Sequence, residues 1–229
     1  MIEVTYVDHM GSDLSVVNAA RVSFGKKSDW LPRVHNGEQL VLTPKDAKLI
    51  SYLAKHQHKS PFNHAFTTFH IKAPIFVARQ LQKHEYMPWN EISRRYVDSE
   101  PEFYQPDIWR GRSADKKQGS SETIVEDVST VKWTNGSSTL RDVAQVCLAE
   151  YKYLLFKGVA PEQARMVLPQ SMMTEWYWSG SVHAFAKMCA LRLKPDAQYE
   201  TRLVAEQIED KMTELFPESW TALRAYDDT

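Results

Sequence analysis

Hydrophobic and polar residues follow recognisable spacings along the first part of the chain. Residues 2–6 alternate between apolar and polar side chains, which predicts a strand, and residues 12–22 carry apolar positions at helical spacing. No period is visible over residues 25–43, where glycine and proline interrupt charged positions, so a loop is predicted there. Residues 43–46 read Thr-Pro-Lys-Asp, a typical helix start, and this helix is expected to run to about His56.

The rest of the chain alternates between predicted strands and helices. Residues 65–72 are rich in β-branched and aromatic side chains, as in a buried strand, and Pro74 then begins a helix that is expected to reach about Lys83. Apolar positions at helical spacing over 138–156 predict a long core helix, whereas residues 97–137 have no regular pattern and are interpreted as an irregular excursion. The remaining segments predict a short helix from Pro161 that contains Arg165, a strand over 171–179, and helices over 181–193, 196–215 and 217–226. The predicted fold class is therefore mixed α/β.

The composition is that of one large domain without a strong net charge. The 229 residues suffice for a substantial core, and 28 basic against 29 acidic residues leave no global field for a nucleic-acid backbone, so any anion site must be local. Cys147 and Cys189 both have apolar neighbours, which is typical of packed thiols in a reducing cytoplasm. Residues 1–8 contain an early acid and no long apolar run, so neither a signal peptide nor a membrane span is expected, and the protein is predicted to be cytoplasmic.

The segment 83–96 is unusually dense in polar and charged side chains and directly follows a predicted helix. Arg94 and Arg95 offer planar donor forks that suit phosphate or carboxylate, while Glu91 and Ser93 add an acceptor and a short donor beside them. Such a set is typical of a site for a phosphorylated small molecule. A solvated, charged turn explains the composition equally well, and the segment alone leaves both interpretations open.

Four histidines occur close together, but their spacing does not match a metal site. His56, His58, His64 and His70 fall on a predicted helix end, a turn and a strand, which scatter their side chains, and no His-Glu-x-x-His or Cys-x-x-Cys motif accompanies them. No metal is therefore expected. His58 lies in a Ser/Pro turn, where a side chain commonly lines a pocket, although a structural role in the turn explains it equally well.

Common nucleophile and phosphate motifs do not occur in the sequence. Neither cysteine lies in the electropositive, accessible setting that an activated thiolate needs, and the chain contains no Gly-x-Ser-x-Gly, no Gly-x-Gly-x-x-Gly and no P-loop. A bound phosphate would therefore be held by side chains such as Arg95 and Arg165. Arg192 lies on a predicted apolar helix, where an arginine usually has an anionic partner. That partner is either a ligand or a salt bridge to Glu200 or Glu206.

Several separated blocks resemble, in the same order, the flavin-dependent thymidylate synthases, a family that makes dTMP without a catalytic cysteine. The blocks span most of the chain and lie at residues 18–24 (NAARVSF), 58–62 (HKSPF), 72–80 (KAPIFVARQ), 90–96 (NEISRRY), 102–104 (EFY), 164–169 (ARMVLP), 191–192 (LR) and 197–200 (AQYE). The resemblance implies a single domain of α+β type over residues 1–229. Its central, mostly antiparallel sheet would be flanked by helices, with an irregular insertion at about 97–137.

The chain departs from the family's signature on the side that is expected to face the flavin. That signature reads Arg-His-Arg, two residues, Ser, one residue, Asn-Glu, one residue, Ser, one residue, Arg; this chain keeps the His, the Asn-Glu, the second Ser and the last Arg. Lys83 and Glu85 replace the two arginines and Pro88 replaces the first serine, so Glu85 reverses the local charge. Where the family has Asn, Arg and Asn further along, this chain has Ser181, His183 and Lys187. Changed cofactor contacts are therefore expected.

The function that the resemblance implies is reductive methylation of dUMP to dTMP, with methylenetetrahydrofolate as carbon donor and FAD and NADPH as reductant. The enzyme would be a homotetramer whose active sites lie at subunit interfaces. Arg192 is implied as the catalytic group, because a fixed guanidinium would stabilise negative charge around N3 and O4 of uracil and make C5 nucleophilic. The residues implied to bind dUMP are Gln80, Lys83, Glu91, Ile92, Ser93, Arg94, Arg95, Arg165 and Arg192. Those implied to bind FAD are His58, Ser60, Asn63, Lys83, His84, Glu85, Asn90, Glu91, Ser181, His183 and Lys187.

Other functions remain open from the sequence. The altered flavin side is also compatible with methyl or hydroxymethyl transfer to another pyrimidine deoxynucleotide such as dCMP, and with a non-catalytic nucleotide-binding homologue that has lost the flavin. Lys116 and Lys117, together with the Arg94 and Arg95 pair near aromatic residues, favour nucleic-acid binding, but the balanced net charge argues against it. No nucleic acid and no membrane is therefore expected as a partner.

Overall fold

The computed structural model describes residues 1–32, 40–97, 99–115, 119–126, 130–133 and 136–226. Within these ranges the chain forms eight α-helices and ten β-strands. The helices are α1 (Asp13–Arg21), α2 (Pro44–Lys55), α3 (Ile75–Leu81), α4 (Leu140–Phe156), α5 (Pro161–Ala164), α6 (Val182–Arg192), α7 (Tyr199–Leu215) and α8 (Pro217–Ala225). The strands are β1 (Glu3–Met10), β2 (Leu31–Pro32), β3 (Leu40–Val41), β4 (Phe66–Pro74), β5 (Trp89–Glu91), β6 (Arg110–Arg112), β7 (Ser120–Ile124), β8 (Thr130–Trp133), β9 (Gly136–Thr139) and β10 (Met173–Ser181).

A four-stranded sheet in the order β1-β4-β10-β5 forms the centre of the described part of the fold. Its strands are antiparallel: β4 lies between β1 and β10, with Phe66 opposite Ser181. β10 also pairs with the short edge strand β5, where Trp178 lies opposite Trp89. The predicted α+β fold, with an antiparallel sheet flanked by helices, is therefore confirmed.

One face of this sheet carries the hydrophobic core. Along β4 and most of β10, buried side chains alternate with half-buried ones, as in a sheet that is covered on one side. Phe69 packs edge-on against Phe185 of α6 with ring centroids 5.2 Å apart, and Trp178 packs against the same ring at 5.4 Å. Burial of each such ring contributes about 2 to 3 kcal/mol, and here it fixes α6 against the sheet. The opposite face is more polar, with His70 Nε2 2.9 Å from Glu175 Oε2.

The predicted start of α2 is confirmed and is part of a buried polar network. Thr43 Oγ1 accepts a hydrogen bond from the Asp46 amide at 3.1 Å, with Pro44 in the first turn. The Asp46 carboxylate accepts further bonds from Arg21 Nε at 2.9 Å and Ser28 Oγ at 2.9 Å. Burial alone would raise the pKa of Asp46, but its hydrogen bonds with Thr43, Arg21 and Ser28 and the charge of Arg21 lower it. One carboxylate thus joins α1, α2 and the segment that follows α1.

The excursion at 97–137 is more regular than the sequence indicates. In its described part β6 pairs with β7 and β8 pairs with β9, each as an antiparallel hairpin. The first hairpin is anchored to the start of α7, because Arg110 forms an ion pair with Glu200 and its guanidinium lies 4.0 Å from the centroid of the Tyr199 ring. Gly119 lies against Asp196, where a Cβ would be 2.9 Å from the carbonyl oxygen. The excursion is thus docked onto the turn between α6 and α7.

Strand β5 was not predicted, because Pro88 and the polar residues around it give this short edge strand the composition of a turn.

The segment 25–43 was predicted as a loop but contributes the short pair β2–β3, and residues 33–39 lie outside the described ranges. Lys116 and Lys117, which favoured nucleic-acid binding, also lie outside them. Three helix ends differ from expectation by two residues or more: α3 ends at Leu81 rather than near Lys83, α4 begins at Leu140 rather than Ser138, and α7 begins at Tyr199 rather than Asp196. None of the described helices is both long and apolar enough to span a membrane.

Replacement of Asp46 by alanine is expected to lower the free energy of unfolding by about 2 to 3 kcal/mol, since it removes the buried ion pair with Arg21 and the acceptor of the Thr43 and Ser28 hydroxyls. Asp142, which likewise accepts from the hydroxyl of the N-cap residue, Thr139 of α4, but is exposed, provides the matched control, and its alanine variant should lose much less. Urea unfolding monitored by circular dichroism measures both.

The same comparison has a defined pH dependence. The pKa of Asp46 is lower in the folded chain than its usual value of 3.8, so its contribution is complete above that value and is lost as pH falls through the lower, folded-state pKa. The stability difference between wild type and Asp46→Ala should therefore shrink only under strongly acidic conditions. Equal losses for the Asp46 and Asp142 variants at neutral pH would contradict this account.

Candidate active site

Arg192 ends α6 and is almost completely buried, with 8% of its surface exposed. Its Nε donates a hydrogen bond to His84 Nε2 at 3.0 Å, and its Nη2 donates to the backbone carbonyl of Gln80 at 3.2 Å. Among the described residues no carboxylate lies within 4.0 Å of the guanidinium. Of the two partners considered for Arg192, a ligand or a salt bridge to Glu200 or Glu206, the salt bridge does not form, because Glu200 instead pairs with Arg110 and Glu206 is exposed on α7. Burial lowers the pKa of Arg192, as is usual for a cation removed from water.

His84 is held neutral by its surroundings. Burial is the largest cause, and the positive charges of Arg192 and Lys187 add to it, so that the pKa of His84 falls to about 4. Because Arg192 can only donate, the bonded Nε2 must be the unprotonated nitrogen, and the ring proton is assigned to Nδ1. The imidazole ring lies 6.2 Å from the Trp178 ring centroid, at the edge of the core. A neutral acceptor thus contacts the buried guanidinium near neutral pH.

A cavity of about 870 Å³ opens beside this pair, and we call it the Arg192 cavity. It contains most of the predicted flavin residues together with Arg192, and its lining is Lys59, Asn63, Phe66, Lys83, His84, Glu85, Tyr86, Met87, Ser181, His183, Ala184, Lys187, Leu191 and Arg192. Ser181 donates to Asn63 Oδ1 at 2.7 Å and caps α6 by accepting from the Ala184 amide at 3.1 Å. The lysines and Arg192 outnumber the carboxylate of Glu85, so the wall is cationic despite the reversed charge at that position.

The wall between α3 and β5 places an aromatic ring at the rim of the Arg192 cavity. Tyr86 is 92% exposed and has a φ of 60°. This left-handed backbone conformation costs a non-glycine residue about 1 kcal/mol. The next residue, Met87, is buried against β10, where Gly180 leaves room for it: a Cβ on Gly180 would lie 2.8 Å from Met87 Cε. Packing of Met87 therefore holds the strained turn that presents Tyr86.

A second cavity of about 400 Å³, the arginine cavity, collects part of the predicted nucleotide site. Its lining is Ile75, Arg79, Glu91, Ile92, Arg94, Glu162, Arg165, Met166, Leu168, Gln170, Met172, Met173 and Thr174. Glu91 is fixed there, because its carboxylate accepts from Thr174 Oγ1 at 2.8 Å and from Trp89 Nε1 at 3.3 Å. Arg94 donates to the Ser99 carbonyl, and its Nε is buried with no partner in the structure. Three guanidinium groups thus surround a space that suits an anion.

Sequence reasoning missed Arg79, Gln170 and Thr174 as lining residues. Arg79 lies one turn after Ile75 on α3, and helical spacing could have placed both side chains on one wall. Gln170 and Thr174 belong to segments whose approach to β5 depends on sheet pairing, which local patterns do not encode. The sequence signal was therefore available for Arg79 alone.

The remaining predicted residues lie elsewhere. Arg95 is exposed, with its guanidinium 5.0 Å from the Tyr96 ring centroid and its backbone amide donating to Ser93 Oγ at 3.3 Å. Arg95 and Arg165, predicted to hold a phosphate together, do not line one cavity in this chain. Asn90 is exposed on β5, opposite Tyr177.

His58 and Ser60 line a third cavity of about 990 Å³, the His58 cavity, together with Phe24 and Tyr52. Lys59 lines both this cavity and the Arg192 cavity, so the two adjoin. The predicted site residues that line a cavity are therefore divided among three cavities within a single chain. The predicted residues that line none of the three are Gln80, Asn90, Ser93 and Arg95.

Histidine and cysteine side chains form no metal or thiolate centre in the described part of the chain. No group of three or more His, Cys, Asp or Glu there could hold a metal ion. His56 and His58 instead pack with Tyr52 at ring centroid distances of 4.3 and 6.1 Å. Cys189 is buried, and its thiol lies 3.6 Å from the Ala205 carbonyl oxygen.

Comparison with known proteins shows which family the chain resembles in sequence. The family model described as thymidylate synthase complementing protein matches residues 5–218. The flavin-dependent thymidylate synthase of Thermus thermophilus is 40% identical over 223 residues, which cover 97% of this chain and 76% of that protein. The corresponding enzyme of Thermosipho africanus is 38% identical over 216 residues, covering 94% of this chain and 86% of that protein.

Solved structures give the same result for the fold. The UMP/dUMP methylase PolB from Streptomyces cacaoi, bound with 5-Br dUMP, aligns with a TM-score of 0.78 and 32% identity over 99% of this chain and 96% of that chain. Its complex with 5-Br UMP aligns with a TM-score of 0.74 and 31% identity, over 99% of this chain and 95% of that one. On the similarity of both sequence and fold, the chain belongs to the thymidylate synthase complementing protein family, the family of the flavin-dependent thymidylate synthases.

Proposed function

We propose that this protein catalyses the reductive methylation of dUMP to dTMP. The observation that carries the proposal is the buried Arg192 guanidinium, which contacts a neutral imidazole and a backbone carbonyl and no carboxylate of the described residues. Its positive charge is therefore available to a ligand. Family membership supplies the reaction class, and the name of PolB shows that a protein of this fold can act on a pyrimidine nucleoside monophosphate.

Arg192 would activate the pyrimidine electrostatically. When C5 of uracil attacks a one-carbon unit, negative charge moves to N3 and O4, and a guanidinium fixed in a water-poor setting stabilises such charge by about 3 to 4 kcal/mol. A cysteine nucleophile is then unnecessary. This fits Cys189, whose thiol is buried in the core, and Cys147, which lies on α4 away from the lining of all three cavities.

The nucleotide phosphate is proposed to bind in the arginine cavity. Arg94 and Arg165 provide two donor forks there, and Arg79 adds a third cation. Thr174 and Trp89 hold the Glu91 carboxylate in place by hydrogen bonds. It can therefore position the nucleotide, and it is not free to move against the arginines and neutralise their charge. Gln80, Lys83, Ile92, Ser93 and Arg95 remain proposed nucleotide residues.

The division of these residues among three cavities supports a homotetramer with active sites at subunit interfaces. One nucleotide must reach both a phosphate site and Arg192, whereas the arginine cavity and the Arg192 cavity have no lining residue in common. Arg95, which is exposed, would then serve a site completed by another copy of the chain. Both cysteines are thiols rather than half-cystines, which fits the reducing cytoplasm in which we propose that the enzyme works.

The Arg192 cavity fits FAD by the chemistry of its lining. Lys59, Lys83 and Lys187 suit the diphosphate, Ser181 and Asn63 add polar groups, and Tyr86 offers a flat face at the rim. Glu85, Asn90 and His183, with His58 and Ser60 in the adjoining cavity, complete the proposed contacts. The bound flavin would supply hydride chemistry, with NADPH as reductant and methylenetetrahydrofolate as the proposed carbon donor. The chain's own residues orient the ligands and exclude water.

UMP is a second candidate substrate, because PolB is named a UMP/dUMP methylase and was solved with 5-Br UMP as well as 5-Br dUMP. The reaction and the proposed role of Arg192 are the same for both nucleotides. Methyl or hydroxymethyl transfer to dCMP and a flavin-free nucleotide-binding role stay open as outcomes of the same assay.

The purified protein, incubated with dUMP, methylenetetrahydrofolate, NADPH and FAD, is expected to yield dTMP, detected as a mass gain of one methylene group on the nucleotide. Parallel incubations with UMP and dCMP establish the substrate range. A protein that stays colourless after FAD addition and desalting, and leaves dUMP unchanged, would exclude the proposed function.

Arg192→Ala should lower kcat about 100- to 1,000-fold, the usual effect of removing a group that stabilises charge in the transition state. Arg192→Lys should recover only part of this, because an ammonium group lacks the planar fork. Arg141→Ala removes an exposed arginine of α4 and serves as the matched control. Unchanged turnover in Arg192→Ala, measured by dTMP formation, would contradict the proposed role.

Tyr86→Gly should have opposite effects on stability and on ligand binding. Glycine accepts the positive φ, so the free energy of unfolding should rise by up to about 1 kcal/mol, whereas loss of the ring should weaken FAD binding several-fold. Gln57→Gly, at the other described non-glycine position with positive φ, calibrates the strain effect. Thermal unfolding and quenching of flavin fluorescence give the two quantities, and FAD affinity equal to wild type would show that Tyr86 does not contact the flavin.

A further inference from the structure

We propose that His84 is a positioning residue that orients the Arg192 guanidinium while leaving its positive charge uncancelled. The inference rests on the proposed function, in which Arg192 stabilises charge on the pyrimidine. A guanidinium in that role must be held in one orientation, and its positive charge must not be offset by a neighbouring negative charge. A carboxylate partner would fix it but would also oppose its charge, since the ligand would then face an ion pair. A neutral imidazole acceptor meets both requirements.

The two anchors of Arg192 come from one short stretch of chain. The Gln80 carbonyl and the His84 ring lie on either side of the end of α3, and the His84 amide donates to the Leu81 carbonyl at 3.1 Å, which closes the turn between them. Nε and Nη2 of Arg192 are engaged, whereas Nη1 makes no hydrogen bond to the described residues. The Nη1 donors are therefore left for a ligand in the Arg192 cavity. Because Gln80 acts through its backbone, His84 is the side-chain anchor that substitution can remove.

The charged groups around His84 keep it in the accepting form. Arg192 and Lys187 face it from α6, Trp178 of β10 packs near its ring, and its neighbours Lys83 and Glu85 line the same cavity. Protonation would place a second cation beside Arg192 and would remove the acceptor. The pKa of about 4 means that this happens only well below neutral pH. The contact is thus insensitive to ordinary changes in pH.

This role differs from that of a flavin ligand, which the sequence predicts for His84. A residue that acts through Arg192 should influence turnover only while Arg192 is present. A flavin ligand should instead influence FAD affinity whether Arg192 is present or not. The two roles therefore separate in a double-mutant cycle.

The test uses His84→Leu, which has no acceptor, and His84→Gln, whose amide oxygen can accept from Arg192. With full-length protein and saturating FAD, kcat for dUMP methylation should fall about 10- to 100-fold in His84→Leu, with a smaller change in KM. His84→Gln should recover most of the loss. In the Arg192→Ala background, His84→Leu should cause no further loss. FAD affinity, measured by flavin fluorescence, should stay within about 3-fold of wild type in both single variants.

Several results would overturn the inference: equal turnover in His84→Leu and wild type, additive losses in the double variant, or a large change in FAD affinity. Circular dichroism checks folding, and His84→Gln keeps the test informative should His84→Leu unfold.

A readout independent of turnover is the NMR titration of His84. Its pKa should lie near 4 in wild type and rise in Arg192→Ala, and an ordinary histidine pKa in wild type would overturn the inference. If wild type shows this low pKa but makes no methylated nucleotide, the proposed function fails while the His84–Arg192 contact stands. If wild type is active and the His84 variants behave as wild type, only the positioning role fails.

Discussion

The constraint on which the proposed site depends is a buried positive charge that is held without being neutralised. Removing a guanidinium from water is costly, and proteins usually offset that cost with a carboxylate. Here the offset comes from a neutral imidazole and a backbone carbonyl. The position of Arg192 follows from the core: β10 continues into α6 at Ser181, and Phe185 locks that helix against Phe69 and Trp178. Packing of aromatic rings thereby sets where the charge lies.

The departures from the family signature leave the cationic character of the Arg192 cavity in place. Glu85 reverses the charge at one signature position, but three lysines and Arg192 line the same space. The reversal is therefore a local change within a wall that still suits an anionic ligand. Ser181 and Asn63 hydrogen-bond directly to each other. A polar pair thus remains at the start of α6, although neither signature asparagine further along is present in this chain.

Local sequence signals predicted the main elements well, because helix caps and side-chain alternation act over a few residues. Thr43 with Asp46 gave the start of α2, and the β-branched run before Pro74 gave β4. Edge strand β5 was missed because its polar composition resembles a turn, and only pairing with β10 makes it a strand. The side chains that follow it could not be oriented for the same reason, so the phosphate was assigned to Arg95 with Arg165, whereas Arg94 is the one that lines the arginine cavity with Arg165.

The partner of Arg192 could not be predicted from local sequence patterns either. It depends on which residues, distant in sequence, pair with each charged side chain in the fold. Glu200, one of the two carboxylates considered as its partner, instead pairs with Arg110 of β6, in a segment that the sequence predicted to be irregular. The β6–β7 hairpin therefore neutralises a largely buried acid at the start of α7. Any change in the excursion that displaced Arg110 would leave a carboxylate with only 9% of its surface exposed without this ion pair, at a cost to folding. The least regular part of the chain thus contributes to the stability of one of its two longest described helices.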